Sequence, residues 1–407
     1  MEEIFNAEFF AANRQRLRKL FSGTAPIVLT ANGLMQHTSD STYPFKQDSN
    51  FWYLTGIDEP DVVLVMDKDK EYIIVPDRET VRDTFDGAIN VEYIKTRSGI
   101  SEVIEEMDGW KRLAGRIKKV KHVATIAPPP AYVPVFGFYT NPARQQLALR
   151  IKDINSAVEL LDLRQQLAVM RMVKQAPEIA AVQQAIDITS ATLKDVRKKL
   201  STFQWEYEIE ARISHGFRSR GAQGHAFTPV VAAGPHTSTI HYVKNAGPIA
   251  ERDIVLLDVG AEVSNYAADI SRTYVVGEPK RNYKKVYDVV VDVQDYATAL
   301  IKPGITLRAY EKQIEQYMGE KLRSLGLIKN VEHDEIRRYF PHATSHFLGL
   351  DTHDIGDYDR PLEPGVILTV EPGIYVPEQG FGIRIEDDVL VTEDGAIVMS
   401  KKLPRGL

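Results

Sequence analysis

Four acidic residues occupy matched places in two segments that are expected to form β-hairpins. In LLDVGAEVSNYAADISRTY, a turn over residues 262–265 would place Asp258 opposite Asp269. In VILTVEPGIYVPEQGFGIRIEDD, a turn at PEQG would place Glu371 opposite Glu386. Opposed residues of antiparallel strands have Cβ atoms about 4.5–5.5 Å apart on one face of the sheet. Each hairpin is therefore expected to bring two carboxylates together.

Paired carboxylates on buried strands call for a cation. The residues that flank the four acids are apolar and indicate buried strands: Leu256, Leu257, Ile270, Leu368, Val370, Ile383 and Ile385. A single acid in a strand is more often an exposed surface residue, but two mirrored pairs disfavour that interpretation, because unpaired carboxylates are costly to bury. The chain has no cysteine, and oxygen-rich sites suit hard or borderline divalent ions. Four acids are enough to bridge two ions, so we predict a two-metal centre.

Histidine is the natural candidate for a further metal ligand. Of ten histidines, His241 lies in STIHYVK, and His342, His346 and His353 lie together in PHATSHFLGLDTHD. A lone histidine in an apolar strand is more often a structural residue, and an HxxxH spacing is a weak metal motif. Spacing alone leaves all four as candidates.

Composition excludes several classes of function. The 407 residues carry 50 Lys and Arg against 56 Asp and Glu, a net charge of −6, which provides no basic field for nucleic acid or anionic lipid. The absence of cysteine excludes disulfide scaffolds, thiol nucleophiles and thiolate metal sites. No apolar run reaches the length of a membrane span or a signal peptide. These features predict a soluble, cytoplasmic protein that binds neither nucleic acid nor membrane.

The first part of the chain predicts an α/β domain. A helical stripe over residues 6–21 precedes four strand-like runs, PIVLTAN, NFWYLTGI, DVVLVM and EYIIVP. A helix near residues 100–113, a strand at HVATIA and a helical run from about Asn155 follow. The boundary is expected between about Asp162 and Lys174, so we assign residues 1–165 to this domain and residues 166–407 to a second one.

The second part shows one order of elements twice. Two amphipathic helices, the first opened by Pro177, precede the strand-like runs AFTPVVAAG, STIHYVK, DIVLLDVGAEV and NYAADISRTYVV. Two further helices, around residues 286–300 and 307–325, then precede VILTVEPGIYV and GFGIRIEDDVLVT. This order indicates two structurally repeated halves.

The chain resembles the Xaa-Pro aminopeptidases (aminopeptidase P), a branch of the pita-bread metallopeptidases. The blocks LLDVGAEVSNYAADISRTY, HATSHFLGLDTHD, LTVEPGIY and GIRIEDD match the family in order, and DSNFWYLTGIDEPDVVLVM resembles its non-catalytic N-terminal domain. The resemblance covers nearly the whole length. It implies an α/β N-terminal domain plus an α+β pita-bread C-terminal domain with two pseudo-symmetric halves.

The resemblance also implies a complete metal-ligand set. The five ligands of the family fall on Asp258, Asp269, His346, Glu371 and Glu386, and this assignment selects His346 among the histidines. Glu371 is implied to be catalytic as well, as the group that shuttles a proton between water and the leaving nitrogen. Relatives that have become binding proteins lack this set, so its completeness favours a working hydrolase.

Five further residues occupy motif positions around the ligands. The resemblance implies catalytic roles outside the ligand set for His241, His342 and His353. It implies substrate contacts for Tyr375 and Arg384.

The implied activity is removal of the first residue from peptides with proline in second position. Two divalent ions, expected to be Mn(II), would supply hydroxide near neutral pH and polarise the scissile carbonyl. We expect peptide substrates and a homodimer or homotetramer. A prolidase, which cleaves only dipeptides, shares every ligand and is the main alternative. A non-catalytic pita-bread binding protein is the second, and the complete ligand set argues against it.

The chain departs from the family pattern at two places. The tract after His342 reads Ala-Thr-Ser over residues 343–345, where many relatives have glycine. In TFDGAIN, Phe85 stands near the usual tryptophan, and Ala88 and Ile89 replace a basic pair. We expect these changes to affect the loop shape, substrate length or subunit contacts.

Overall fold

The computed structural model describes residues 4–68, 70–77 and 80–407. The chain divides into two compact units, Glu2–Met170 and Arg171–Leu407. The helices up to the boundary are α1 (Ala7–Phe21), α2 (Ser49–Thr55), α3 (Thr80–Asp86), α4 (Val91–Ser98), α5 (Glu106–Ile117), α6 (Ala143–Ile154) and α7 (Arg164–Met172). The strands are β1 (Ile27–Thr30), β2 (Val63–Asp67), β3 (Lys70–Val75), β4 (Val103–Glu105), β5 (His122–Thr125), β6 (Tyr132–Val133), β7 (Phe138–Tyr139) and β8 (Glu159–Asp162).

The first unit is built on a six-stranded mixed sheet in the order β4-β3-β2-β1-β5-β8. Strand β2 runs antiparallel to β1 and β3, whereas β5 runs parallel to β1 and β8. Apolar side chains of the sheet, such as Val28 and Val65, pack against Trp110 and Leu113 of α5 and Ile151 of α6. This arrangement is the α/β domain that the sequence predicts.

The helix expected near residues 100–113 starts only at Glu106, because Val103–Glu105 form strand β4. Two further elements of the first unit differ from their sequence-based predictions. The run NFWYLTGI was expected to be a strand but forms α2, because the Asp48 side chain caps the backbone N–H groups of Asn50 and Phe51, both at 3.0 Å, and Gly56 ends the helix with a positive φ. Leu160 and Leu161, expected on a helix, lie on strand β8. A short apolar run is compatible with a helix or with a strand. A helix cap decides the outcome in the first case, and pairing with the sheet decides it in the second.

Within the described residues, the second unit contains five α-helices and eleven strands. The helices are α8 (Ala176–Lys198), α9 (Glu206–Ser219), α10 (Arg281–Leu300), α11 (Leu307–Ser324) and α12 (His333–Tyr339). The strands are β9 (Gly224–His225), β10 (Val230–Ala233), β11 (Ile254–Val259), β12 (Ala261–Val263), β13 (Tyr266–Ala267), β14 (Ile270–Val275), β15 (Ile367–Val370), β16 (Gly373–Val376), β17 (Phe381–Arg384), β18 (Asp387–Thr392) and β19 (Gly395–Val398). No helix in the described part of the chain is both long and apolar enough to cross a membrane.

The second unit shows the predicted alternation of helices and strands in two halves. Helices α8 and α9 precede β9–β14, and helices α10 to α12 precede β15–β19. One prediction fails: STIHYVK does not form a strand, because residues 234–238 form a short 3₁₀ helix and His241 lies in the turn that follows. Helix α12 and strand β19 were not anticipated.

The two acid-bearing hairpins differ in how well their register was predicted. In the second, Val370 faces Asp387 and Gly373 faces Arg384, so the register that opposes Glu371 to Glu386 is confirmed. In the first, Asp258 faces Ser271, not Asp269, and the prediction is wrong by two residues. The reason is the turn: Val263 pairs with Tyr266, which leaves only Ser264 and Asn265 to reverse the chain.

Candidate metal centre

The five sequence-predicted metal ligands lie at strand ends of the second unit or in the segment between α12 and β15. Asp258 is on β11, Asp269 directly precedes β14, Glu371 follows β15, and Glu386 directly precedes β18. Because side chains two residues apart on a strand share a face, Asp258 and Asp269 still project to one face although they are diagonal and not opposed. The ligand atoms of Asp269, His346 and Glu386 lie within 4.8 Å of one another, and all three residues are buried.

The hydrogen bonds of His346 aim one ring nitrogen at the acids. Its Nδ1 lies 3.0 Å from the carbonyl oxygen of Phe347. A carbonyl only accepts, so Nδ1 carries the proton and Nε2 of the neutral ring presents a lone pair. That Nε2 is 3.6 Å from Oδ2 of Asp269 and 3.4 Å from Oε1 of Glu371. This is the tautomer that a metal-binding histidine requires.

Both carboxylate oxygens of Glu371 lie near polar groups. Its Oε1 accepts a hydrogen bond from the Thr369 hydroxyl at 3.3 Å, and its Oε2 is 3.7 Å from Nδ1 of His342. Its backbone N–H donates to the Thr344 carbonyl at 2.8 Å, which fixes the strand end against the histidine segment. Glu371 thus lies between two of the predicted histidines.

A chain of hydrogen bonds connects Asp258 to His342. The buried guanidinium of Arg384 donates to Oδ2 of Asp258 at 2.6 Å and to the Tyr375 hydroxyl at 2.6 Å. That hydroxyl lies 2.8 Å from Nε2 of His342, whose Nδ1 is 2.8 Å from the Ala343 carbonyl. Since Nδ1 must donate to the carbonyl, Nε2 accepts from Tyr375. Arg384 and Tyr375 are only 1% and 2% exposed, so the structure shows them holding neighbouring side chains.

The acids raise one another's pKa values. Burial, followed by the charge of Asp258, raises the pKa of Asp269 well above its usual range. Burial and the charge of Asp269 do the same for the pKa of Glu386. Burial raises the pKa of Glu371 to about 7. Holding these carboxylates together in their charged form is therefore unfavourable in the protein alone, and a bound cation would offset their mutual repulsion.

Two buried carboxylate oxygens at the centre fit that cation. Oδ1 of Asp258 and Oδ1 of Asp269 are buried and accept no hydrogen bond from any described residue. Buried oxygens of this kind are normally paired. Together with the lone pair of His346, they form a donor set of oxygens and one imidazole nitrogen that suits divalent metal ions.

Two of the predicted catalytic histidines lie close to this group. The ring of His353 stacks on the ring of His346 with centroids 4.0 Å apart and an interplanar angle of 28°. Desolvation, followed by the charges of His346 and His241, lowers the pKa of His353 to about 4. Desolvation and the Arg384 charge lower the pKa of His342 to about 3. Both rings are therefore neutral at pH 7.

The segment that carries His241 is fixed by a buried carboxylate. Glu206, at the start of α9, is fully buried and accepts hydrogen bonds from the backbone N–H of Ala233 at 2.8 Å and of Gly247 at 2.5 Å. The same carboxylate accepts from the Tyr242 hydroxyl at 2.9 Å. Its contacts hold both ends of the segment, so His241 has a defined place although it is exposed.

Sequence analysis missed several residues that support the ligands. The Ser271 hydroxyl donates to Glu386 at 2.7 Å, and the Thr369 hydroxyl accepts from the His346 backbone N–H at 3.1 Å. A signal existed, because Ser271 and Thr369 each lie two residues from a predicted ligand and therefore on the same strand face. Glu311 was not detectable this way, since it lies on α11 and reaches the histidine segment only in the folded protein.

The departures from the family pattern lie in defined places. Glu311 accepts hydrogen bonds from the backbone N–H groups of Thr344 at 3.0 Å and of Ser345 at 2.9 Å, so the altered tract after His342 is well anchored. In the first unit, Phe85 on α3 is 81% exposed and Ala88 is exposed, with Ile89 half-buried. The expected effect of these changes on substrates or subunits stays a prediction.

Comparison with known protein families agrees with this geometry. The profile of "Metallopeptidase family M24" matches residues 180–393, and that of "Aminopeptidase P, N-terminal domain" matches residues 10–124. A curated Xaa-Pro aminopeptidase of Haemophilus influenzae is 32% identical over 424 residues, which cover 98% of this chain and 95% of the relative. Human Xaa-Pro aminopeptidase 3 is 31% identical over 430 residues, with 97% and 83% covered.

Solved structures show the same relationship. The aminopeptidase P of Escherichia coli with the inhibitor Pro-Leu matches with a TM-score of 0.86 and 28% identity, covering 99% of this chain and 96% of that one. The Pseudomonas aeruginosa aminopeptidase PepP matches with a TM-score of 0.87 and 26% identity over the same shares. Both the pita-bread architecture and the N-terminal domain are therefore confirmed. The chain belongs to metallopeptidase family M24, as one of its Xaa-Pro aminopeptidases.

Proposed function

We propose that Asp258, Asp269, His346, Glu371 and Glu386 hold two divalent metal ions, with Mn(II) as the active metal. The observation that carries this proposal is the buried Asp269–His346–Glu386 group, in which the lone pair of His346 Nε2 points at carboxylates that lack a counter-charge. An oxygen-rich site without thiolates lacks the soft ligands that favour zinc, although zinc has the higher intrinsic affinity for most sites.

The protein side chains then divide the chemistry between them. When bound, two divalent ions supply hydroxide near neutral pH and polarise the scissile carbonyl. Glu371 accepts the proton of the attacking water and passes it to the leaving nitrogen, because its carboxylate lies beside His346 and its pKa lies near neutrality in the protein alone. His353, neutral at pH 7, donates a hydrogen bond to the carbonyl oxygen as charge develops there.

His241 and His342 are assigned supporting roles in the same reaction. His241, fixed at the surface by the Glu206 contacts, orients the substrate carbonyl. His342 is held by Tyr375 and Ala343, and its ring lies beside Glu371, with Nδ1 3.7 Å from Oε2. Arg384 pairs with Asp258 and with Tyr375, and Tyr375 donates to His342. Because both side chains are buried, we propose that Tyr375 and Arg384 serve substrate binding by holding Asp258 and His342 in place, and not by the direct contact that the sequence predicted.

We propose that the substrates are peptides of three or more residues with proline in second position. Proline lacks an N–H and fixes φ, so a pocket shaped for its ring selects it. The Escherichia coli relative was solved with the inhibitor Pro-Leu. Release of the first residue from a tripeptide Xaa-Pro-Leu leaves this fragment, which supports a substrate that continues beyond the proline. Cytoplasmic location and a homodimer or homotetramer stay predictions.

The decisive experiment compares substrates with the Mn(II)-loaded full chain. We expect kcat/KM to be substantial for Ala-Pro-Ala and a longer Ala-Pro peptide and very low for Ala-Ala-Ala. Turnover confined to Ala-Pro would identify a prolidase instead. Equal cleavage of Ala-Ala-Ala would remove the proline pocket, and absence of turnover on every peptide would support a non-catalytic protein. Glu371→Gln provides the inactive control that excludes a contaminating peptidase.

A further inference from the structure

Three charged side chains form a buried cluster beside the histidine segment. Arg171, in the last turn of α7, and Lys174, just before α8, both pair with Asp354, and their side chains are 1%, 0% and 1% exposed. Nζ of Lys174 is 3.0 Å from Oδ2 of Asp354, and Arg171 contacts the other oxygen. Arg171 also donates to the partly exposed Asp351 at 2.7 Å.

This cluster has no part in the proposed ligand set or proton transfer. Burying charges is expensive, and a buried ion pair is often no more stabilising than apolar residues of similar size. Although burial alone lowers the pKa of Arg171, the charges of Asp354 and Asp351 raise it above its usual value, so the guanidinium stays charged. Because the desolvation of these three charges costs free energy, we look for a role of the cluster other than general stability.

The cluster reaches the histidines through the Phe347 carbonyl. That oxygen accepts the backbone N–H of Asp354 at 2.8 Å and also the Nδ1 proton of His346 at 3.0 Å. It closes the loop of residues 347–354, and His353 directly precedes the anchored Asp354. The position of the Asp354 carboxylate therefore sets where His353 stands against the His346 ring, 4.0 Å away.

On the opposite side of the loop, Gly349 packs closely against the side chains of Asp354 and Lys174. A Cβ on Gly349 would lie 2.2 Å from Oδ2 of Asp354 and 2.9 Å from Cε of Lys174. The Gly349 carbonyl accepts the backbone N–H of Ala267, two residues before Asp269, at 2.8 Å. The loop is thus packed between the ion cluster and the first hairpin.

His353 depends on this loop more than His346 does. Two hydrogen bonds with Thr369 fix the backbone of His346 independently of the loop. The His346 N–H donates to the Thr369 hydroxyl at 3.1 Å, and the Thr369 N–H donates to the His346 carbonyl at 3.0 Å. The ring of His353 makes no hydrogen bond to any residue that the structure describes, and only stacking on His346 is present. A shift of Asp354 should therefore displace His353 and leave the ligand in place.

We propose that Arg171 and Lys174 are positioning residues for hydrolysis, which act through Asp354 to hold His353 where the substrate carbonyl develops charge. The inference rests on the proposed function, in which His353 donates to that oxygen. The proposal gives a cluster outside the metal site the role of keeping the His353 imidazole in place.

The first test is Lys174→Met, measured with Lys284→Met as matched control. Lys284 lies on α10 in an exposed pair with Asp288, so its substitution removes the same charge without touching a buried cluster. We expect Lys174→Met to lower kcat about 10-fold with KM and metal content changed less than about 2-fold. Lys284→Met should behave as wild type. Loss of metal in proportion to activity would overturn the proposal, because the cluster would then support His346.

A double-mutant cycle separates positioning from general stability. In the His353→Ala background, adding Lys174→Met should cause less than about 2-fold further loss of kcat, since residues that act through one another are not additive. A full additional loss would overturn the proposal. The wild-type protein is assayed in the same series, so inactive wild type would refute the proposed function itself, whereas active wild type with additive variants refutes only this inference.

A readout without turnover completes the test. In metal-free protein, the Cε1–Hε1 NMR signal of His353, assigned by its loss in His353→Ala, should move in Lys174→Met and stay in place in Lys284→Met. Unchanged His353 signals in Lys174→Met would contradict the proposal. If Lys174→Met does not fold, Gly349→Ala displaces the same Asp354 carboxylate from the other side and should give the same lowering of kcat and the same NMR change.

Discussion

The two acid-bearing hairpins bring carboxylates to one site by different routes. In the hairpin of β11–β14, Ser264 and Asn265 form the turn and both have positive φ, 49° and 65°, the pattern of a two-residue type I′ turn. In the hairpin of β15–β18, the chain reverses through the 3₁₀ turn Pro377–Gln379 and Gly380, with a φ of 68°. The turn type fixes the register in each case.

The difference in register gives the acids different surroundings. Asp258 and Asp269 are diagonal, so Asp258 can pair with Arg384 while Asp269 lies deeper, beside His346. Glu371 and Glu386 oppose each other between the β15–β18 and β16–β17 strand pairs. Their backbone N–H groups do not bond to each other but donate to the carbonyls of Thr344 and Ser271. Four carboxylates can therefore converge through either a diagonal or a direct pair. The requirement is that both acids of a hairpin lie on the same face of the sheet. Side chains alternate between the two faces along a strand, so this holds in both hairpins.

The largest effect should come from removing the metal that both hairpins are proposed to hold. Chelation should abolish peptidase activity, and Mn(II) should restore it best, because the carboxylates alone do not activate water. Activity is measured on Ala-Pro-Ala with metal content determined by elemental analysis, and protein dialysed without chelator is the control. Full activity in verified metal-free protein would contradict the metal assignment of both hairpins.

Substituting one acid in each hairpin should distinguish metal binding from proton transfer. Glu371→Gln is expected to lower kcat by about 10²–10⁴-fold while keeping the fold, because the amide can bind metal but cannot take up a proton. Asp269→Asn should lose metal as well as rate, since the first hairpin is assigned ligation alone. Asp359→Asn, in an exposed pair with Arg308, is the control. Near wild-type turnover in both variants would show that the hairpin acids are misassigned.

The stability of the metal-free protein should fall as the pH rises. Burial raises the pKa of Glu371 to about 7 and those of Asp269 and Glu386 well above their usual values, against about 4 in the unfolded chain. The folded state therefore binds more protons at these three carboxyl groups between these values, so their contribution to stability is fully present below about pH 4 and is lost as the pH rises through about 7. The lowered pKa values of His342 and His353 act in the opposite direction below about pH 6.5. The Tm measured from pH 6.5 to 8 should therefore decrease in chelated protein and be much flatter with Mn(II). An equal slope in both samples would indicate that the acids are not the cause.

The sequence predicted the shared face better than it predicted the details around it. Alternation and buried flanks were sufficient to place Asp258, Asp269, Glu371 and Glu386 together, and the resemblance selected His346. The first register was missed because the pattern does not reveal that Ser264 and Asn265 adopt positive φ, which is uncommon for residues other than glycine.

Contacts made only by the folded chain could not be predicted from patterns. The α2 segment was misassigned because its aromatic residues are buried on every side and show no period. The pairing of Arg384 with Asp258, 126 residues away, and of Lys174 with Asp354, 180 residues away, depends on tertiary packing. Nothing in the spacing of these residues distinguishes them from surface ion pairs.

The smallest effect should come from the two turns themselves. Gly380→Ala and Asn265→Ala each place an alanine at positive φ, which costs about 1–2 kcal/mol, whereas Asn265→Gly relieves the constraint and serves as the matched control. A Cβ on Gly380 would approach Pro235 only to 3.8 Å, so its cost is conformational and not steric. The free energy of unfolding, measured with urea, should therefore fall by about this amount in Gly380→Ala and by at least as much in Asn265→Ala, which also removes a buried polar side chain. Because each register is also held by buried strands on both sides of the turn, kcat should stay within about 2-fold of wild type. A large loss of kcat in Asn265→Ala with no change in Gly380→Ala would show that the diagonal pair, unlike the direct one, depends on its turn for the geometry of the site.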